Sequence, residues 1–278
     1  MRVSVLGLGY VGCVSAACLA ELGNTVIGLD VDERKLKPLR EGKSPIVEPK
    51  LPELVKRGVD EGRLSVTDDY QSAVMNSEVS LVCVGTPSAE DGSPNLDYTR
   101  RVCHQIAAVI AGKDDFHTVV FRSTIPPGTV EDELLPIIEA DSGKVEGRDF
   151  GVCFNPEFLR EASAVKDFYK PPKIVIGERS PGSRAGDVVA RLYESIDAPL
   201  ARVDIKVSEM PSSFARLPIS LAKQTLMAWK QLSAYLTISE TLISVLTNGA
   251  SMSLYNSSMT SPARLSGVRS PMTIFGGL

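Results

Sequence analysis

The feature that most constrains this chain is the run Gly7-Leu-Gly9-Tyr-Val-Gly12, set directly after the apolar stretch Arg2-Val-Ser-Val-Leu6. A short apolar stretch bounded by glycine reads as a buried parallel strand. Helical spacing then runs from Val11 to Leu22, with Gly23-Asn24 as a stop. Thr25-Val-Ile-Gly-Leu29 reads as a second strand, and Asp30 stands at its end. Strand, glycine turn, helix, strand and acid in this order make a dinucleotide-binding unit of the Rossmann type. Gly7 permits the tight turn, Gly9 lets the backbone approach a pyrophosphate, and Gly12 lets helix and strand pack closely. The helix N-terminus offers N–H groups and a positive dipole end to phosphates. A carboxylate at Asp30 accepts hydrogen bonds from ribose hydroxyls and repels a 2′-phosphate, so NAD is expected rather than NADP.

The same region has a competing reading. Residues 3–20 carry no charge, as a signal peptide or membrane span would. Three glycines and two serines dilute the run, and it divides naturally into strand, turn and helix, which favours a soluble chain. The five cysteines (Cys13, Cys18, Cys83, Cys103, Cys153) lie in apolar runs without a C-x-x-C pair, and two histidines are too few for an ordinary zinc set. They read as small buried hydrophobes in a reducing, cytoplasmic setting, with no metal site. The net charge of −4 gives no basic footprint for nucleic acid, and no membrane partner is expected.

Downstream, the α/β alternation continues as a doubly wound parallel sheet. Val79 to Val84, Thr118 to Arg122, Phe150 to Phe154 and Ile174 to Ile176 read as strands, with helices over Asp97 to Ala111 and Val130 to Glu139. Ligands bind at the carboxyl ends of strands in such sheets, where Thr86 follows one strand and Thr124 another. Each threonine either meets cofactor or substrate, or caps a helix. Glu157 and Glu161 in Asn155-Pro-Glu-Phe-Leu-Arg-Glu161 are four apart and would share a face on a helix. They read either as a general base with sugar-hydroxyl acceptors or as a solvated helical face.

GLGYVG, GKSPIVEP (42–49), VGTPS (84–88), RSTIPPGT (122–129), NPEFLREASAVKDF (155–168) and IGE (176–178) together resemble the UDP-glucose/GDP-mannose dehydrogenase family over about residues 1–210. His117-Thr-Val-Val, Asp149-Phe-Gly-Val and Ile196-Asp-Ala-Pro are more similar to its GDP-mannose 6-dehydrogenase branch than to its UDP-glucose branch. The resemblance implies oxidation of a nucleotide sugar's C6 alcohol to a carboxylate with reduction of two NAD. In the GDP-mannose branch the product serves alginate-type exopolysaccharide. It implies that Tyr10, Val11, Asp30, Lys35, Thr86 and Thr124 contact NAD. Glu161 would contact the sugar or act as acid/base with Glu157 beside it, and the family forms a homodimer through central helices.

The family also uses a cysteine, in a Gly-Gly-Ser-Cys-Leu-Pro-Lys-Asp motif, that captures the aldehyde covalently. This sequence does not contain the motif, and its last cysteine is Cys153. Pro211 falls where the family has a substrate-holding helix and is expected to break it. Residues 1–210 hold 33 of the 34 acidic residues, while 211–278 hold only Glu240 and 13 serines. The expected organisation is an NAD-binding domain over 1–210 and an atypical, incomplete helical or disordered segment over 211–278, the tail arising either from a shifted or rearranged reading frame or from a divergent, naturally shortened paralogue. A chain without the nucleophile is expected either to act as the family does or to bind NAD without turnover.

Overall fold

The computed structural model describes residues 1–89 and 93–214, and of 211–214 the backbone alone. The segments Leu226 to Leu236 and Leu242 to Leu246, and the tail expectation in general, lie outside the described residues. Eight strands form one sheet: β1 (Arg2–Leu6), β2 (Thr25–Leu29), β3 (Leu64–Thr67), β4 (Val79–Val82), β5 (His117–Phe121), β6 (Phe150–Phe154), β7 (Ile174–Glu178) and β8 (Leu200–Asp204). Their order is β3-β2-β1-β4-β5-β6-β7-β8. The first six give the doubly wound arrangement, with the switch in direction between β1 and β4. The expected parallel sheet needs one correction, because β7 runs antiparallel to β6 and β8 then pairs parallel to β7.

Nine helices connect the described strands: α1 (Tyr10–Glu21), α2 (Glu33–Arg40), α3 (Leu51–Asp60), α4 (Tyr70–Met75), α5 (Asp97–Ile110), α6 (Leu135–Ser142), α7 (Ala164–Tyr169), α8 (Arg184–Leu192) and α9 (Ile205–Phe214). A π-helical turn, Val130–Leu134, leads into α6. The two faces of the sheet follow strand alternation. Val3 and Val5 of β1 join a core with α1, α2, α3, α7 and α8, whereas Leu6 joins one with α4, α5 and α6. The uncharged run of residues 3–20 is thus β1, a turn and a buried α1, and among the described residues no helix is long and apolar enough to cross a membrane. All five cysteines are free and buried, as expected.

α1 lies close to the sheet because Gly12, Ala16, Ala17 and Ala20 present little bulk. Its carboxyl end closes on Gly23 at φ +88°, and the Asn24 side-chain amide donates to the Leu19 carbonyl at 2.9 Å. At the other end of the described chain, α9 continues through Pro211 to Phe214, contrary to the expected break. An internal proline removes one helical bond, here that to the Val207 carbonyl, and a helix can persist past it with a kink. The first two turns of α9 are held by packing, with Ile205, Ser208 and Glu209 fully buried.

Candidate functional site

β1 delivers the chain to Gly7, whose φ of +94° excludes ordinary side chains. A Cβ there would also meet Val84 Cγ1 at 2.9 Å. A Cβ on Gly12 would overlap the Gly7 carbonyl oxygen, so that glycine is demanded by the turn itself. Gly9 differs from both: a Cβ there meets no atom within 4 Å. Protein packing does not account for a glycine at this position, whereas a ligand lying against the backbone does. Gly9 is the N-cap of α1, no side chain caps the helix, and no acid stands in its first turn. The first N–H groups of α1 are therefore left for an anion.

This turn borders a cleft of about 490 Å³ lined by Gly7, Gly9, Asp30, Lys35, Gly85 and Pro87, with Val31, Tyr70, Tyr98 and Arg101 further out. Asp30 is 7% exposed and its carboxylate is already oriented. Oδ2 accepts the Leu8 N–H at 2.7 Å and the Lys35 ammonium at 2.7 Å, while Oδ1 accepts the Asp32 N–H at 3.0 Å. A carboxylate offers about four lone-pair sites, so one is left for a ribose hydroxyl. On the outer wall the Arg101 guanidinium lies 5.6 Å from the Tyr98 ring centre. The cleft thus supplies an apolar end, a fixed carboxylate and an uncapped helix N-terminus in sequence, which fits an adenine dinucleotide.

The two strand-end threonines meet. Thr86 is buried and donates its hydroxyl to the Thr124 carbonyl at 2.8 Å, tying the loop after β4 to the loop after β5. Neither threonine is the N-cap of the following helix: Leu96 holds that place for α5 and Thr129 for the π-helical turn. The helix-capping alternative is therefore set aside.

Tyr10 and Val11 open α1, and neither lines the cleft. Val11 packs against the core, and the Tyr10 hydroxyl donates to Glu48, which is 3% exposed. Burial and the adjacent carboxylate push the Tyr10 hydroxyl up to about 12. Glu48 lies in the Gly42–Pro49 motif and also accepts the Val165 N–H at 3.4 Å, joining three segments far apart in sequence.

Glu157 and Glu161 are not on a helix, a correction to the shared-face expectation. Residues 155–160 are non-helical, 161–163 form a turn, and α7 starts at Ala164. Asn155 precedes a proline, which disfavours helical backbone, and its side-chain amide donates to the Val175 carbonyl at 2.7 Å. Arg160 is drawn to Asp167 at 2.8 Å, and Ala162 takes a left-handed φ of +66°. Glu157 is half-buried, its carboxylate accepting the Leu159 N–H at 2.7 Å, while Glu161 is exposed and near enough to Tyr10 to raise its hydroxyl further.

Two buried networks escaped the sequence reading. Arg122, at the end of β5, donates to Asn155 Oδ1 and to the Tyr193 hydroxyl oxygen at 2.7 Å, and Tyr193 donates to Asn155 at 2.8 Å. Glu209 of α9 accepts the Gly128 N–H through one oxygen and the Val130 N–H at 2.9 Å through the other. It thereby anchors the loop that carries Thr124. A buried charged residue at a strand end is the only signal for Arg122, and its partners lie 33 and 71 residues away.

No cysteine is poised as a nucleophile. Burial pushes the thiols of Cys13, Cys18 and Cys83 up to about 12 and raises Cys103 and Cys153 further. Cys83 alone among them borders the cleft. The described residues contain no cluster of metal-ligating side chains.

Comparison with known proteins places these features. A family model described as the UDP-glucose/GDP-mannose dehydrogenase family, NAD binding domain, matches residues 1–197. The GDP-mannose 6-dehydrogenase of Pseudomonas aeruginosa is 50% identical over 210 residues, covering 76% of this chain and 48% of that protein. A UDP-glucose 6-dehydrogenase of Haloferax volcanii is 38% identical over 231 residues, covering 80% of this chain and 53% of that protein. The crystal structure of a ternary complex of GDP-mannose dehydrogenase from Pseudomonas aeruginosa superposes with a TM-score of 0.76 at 46% identity, over 82% of this chain and 51% of that one. The chain spans about half the length of the curated relatives it matches. It belongs to the UDP-glucose/GDP-mannose dehydrogenase family, whose NAD-binding domain it carries.

Proposed function

We propose that this chain is the cofactor half of a nucleotide-sugar 6-dehydrogenase of the GDP-mannose type. The observation that carries the reading is the glycine turn, in which Gly9 is open to ligand while Gly7 and Gly12 are fixed by packing. The substrate assignment rests on similarity, 50% identity to GDP-mannose 6-dehydrogenase against 38% to UDP-glucose 6-dehydrogenase.

When bound, NAD accepts hydride from the C6 carbon of the sugar. The protein's own tasks are to hold and orient. The α1 N-terminus takes the pyrophosphate, Asp30 and Lys35 take the adenosine ribose, and Thr86 with Thr124 positions the reactive end. Glu161, on the exposed turn before α7, and Glu157 beside it accept sugar hydroxyls or take the proton released from the C6 hydroxyl. The partner is thus a nucleotide sugar, GDP-mannose or UDP-glucose. The domain unit extends over residues 1–210.

A second reading, NAD binding without turnover, draws support from the five thiols, all buried and all raised by that burial. Titration with NAD, followed by spectroscopic NADH measurement with GDP-mannose and then UDP-glucose, separates the two. NADH formation with GDP-mannose supports the dehydrogenase; binding without NADH from either sugar nucleotide supports the second reading. Absence of NAD binding overturns both.

A further inference from the structure

A second cavity, of about 550 Å³, opens between the start of α3 and the turn into α7, and it shares no lining residue with the cofactor cleft. Its apolar wall is Leu54, Val165 and Tyr169. Its other wall holds three lysines, Lys50, Lys166 and Lys170. None of these ammonium groups has an ion pair or side-chain hydrogen bond among the described residues. The neighbouring Arg160, by contrast, is held by Asp167. The one carboxylate in the wall, Glu48, is buried and already accepts the Tyr10 hydroxyl and the Val165 N–H. Three exposed ammonium groups without a partner thus border one cavity in a protein whose net charge is −4.

Two further observations concern the same place. Lys50 is the N-cap of the ten-residue α3, no side chain caps that helix, and Glu53 in its first turn offsets part of its positive end. Lys50 at φ +67° and Ala162 at φ +66° are the two non-glycine residues with left-handed backbone among the described residues, and both line this cavity. Such conformations persist where the surroundings over-determine them, and they cluster at ligand sites.

We propose that this cavity binds an organic phosphate. Its phosphate is held by Lys50, Lys166 and Lys170 at the start of α3, and its organic part lies along Leu54, Val165 and Tyr169. Ammonium groups act as point charges toward phosphate, and the apolar wall gives the organic part a surface that free phosphate cannot use. Glu48, in the wall of this cavity, is bonded to Tyr10 at the start of α1.

The test is calorimetric titration of the full chain, saturated with NAD so that the glycine turn is closed to phosphate, with inorganic phosphate and with glucose 1-phosphate. Both are expected to bind, glucose 1-phosphate at least threefold more tightly. Lys166→Ala/Lys170→Ala is expected to weaken both at least tenfold while NAD affinity stays unchanged. If the double variant also loses NAD binding, Lys50→Ala is titrated with the same expectation. Absence of binding, or undiminished binding in the lysine variants, overturns the site; equal affinity for the two probes overturns the organic part. Should the chain not bind NAD, the lysine variants alone distinguish this cavity from the glycine turn.

Discussion

Gly9 and Gly12 lie three residues apart in one turn and answer to different forces. Gly12 is required by the fold, because a methyl there would displace the Gly7 carbonyl. A methyl on Gly9 would meet no protein atom within 4 Å. Gly12→Ala is therefore expected to lower the melting temperature by several degrees, as overpacking costs about 1–3 kcal/mol. Gly9→Ala is expected to leave it nearly unchanged and to weaken NAD at least tenfold. Scanning fluorimetry with and without NAD reads both effects. Equal thermal losses in the two variants would contradict the distinction. Glu209 supplies a second test at this scale. Burial pushes its carboxyl up to about 7, with the nearby negative Glu131 and Asp132 adding and the Gly128 and Val130 N–H groups opposing; Lys206 pairs with both acids. The folded chain holds this proton up to about pH 7, whereas an unfolded glutamate releases it near 4.3. The folded state binds more protons in that window, so this group makes stability fall as pH rises through it, by up to about 1.4 kcal/mol per unit, with no further change above it. Urea unfolding of the native chain and Glu209→Gln at about pH 5 and about pH 8 should show the native chain losing ground to the variant at the higher pH. An identical difference at both values would remove Glu209 as the source.

Among elements, the stretches best legible in sequence were those governed by local pattern. β1, β2 and β6 match the apolar runs residue for residue, and α1 and α5 differ from expectation by a residue at their ends. The glycine turn and Asp30 were legible for the same reason, since their neighbours in space are their neighbours in sequence. The loop from Asn155 to Ser163 was not. Spacing suggested a helix, but Asn155 is bound to Arg122 and Tyr193, and Arg160 to Asp167, contacts that no local period encodes. The reversal of β7 against β6 is likewise a tertiary matter, since Ile174–Glu178 has the same apolar character whichever way it runs. Tyr193→Phe tests the loop's anchoring. It removes an acceptor from the buried Arg122 guanidinium and a donor from Asn155, an expected loss of about 1–3 kcal/mol in urea unfolding. A change within about 0.5 kcal/mol would show that the network does not hold the loop.

On the scale of the molecule, one mostly parallel sheet brings four strand ends to a common edge: Gly7 after β1, Asp30 after β2, and Thr86 after β4, hydrogen-bonded to Thr124 after β5. Glu157 follows β6 on the same side of the topology. The central claim is that this edge is built for NAD, with Asp30 placed against a ribose bearing free hydroxyls. Direct titration of the chain with NAD and with NADP, followed by tryptophan-independent calorimetry, measures that claim without requiring turnover. The account predicts saturable NAD binding and at least tenfold weaker NADP binding, a preference that Asp30→Asn reduces. Failure to bind NAD, or equal affinity for the two dinucleotides, would contradict it.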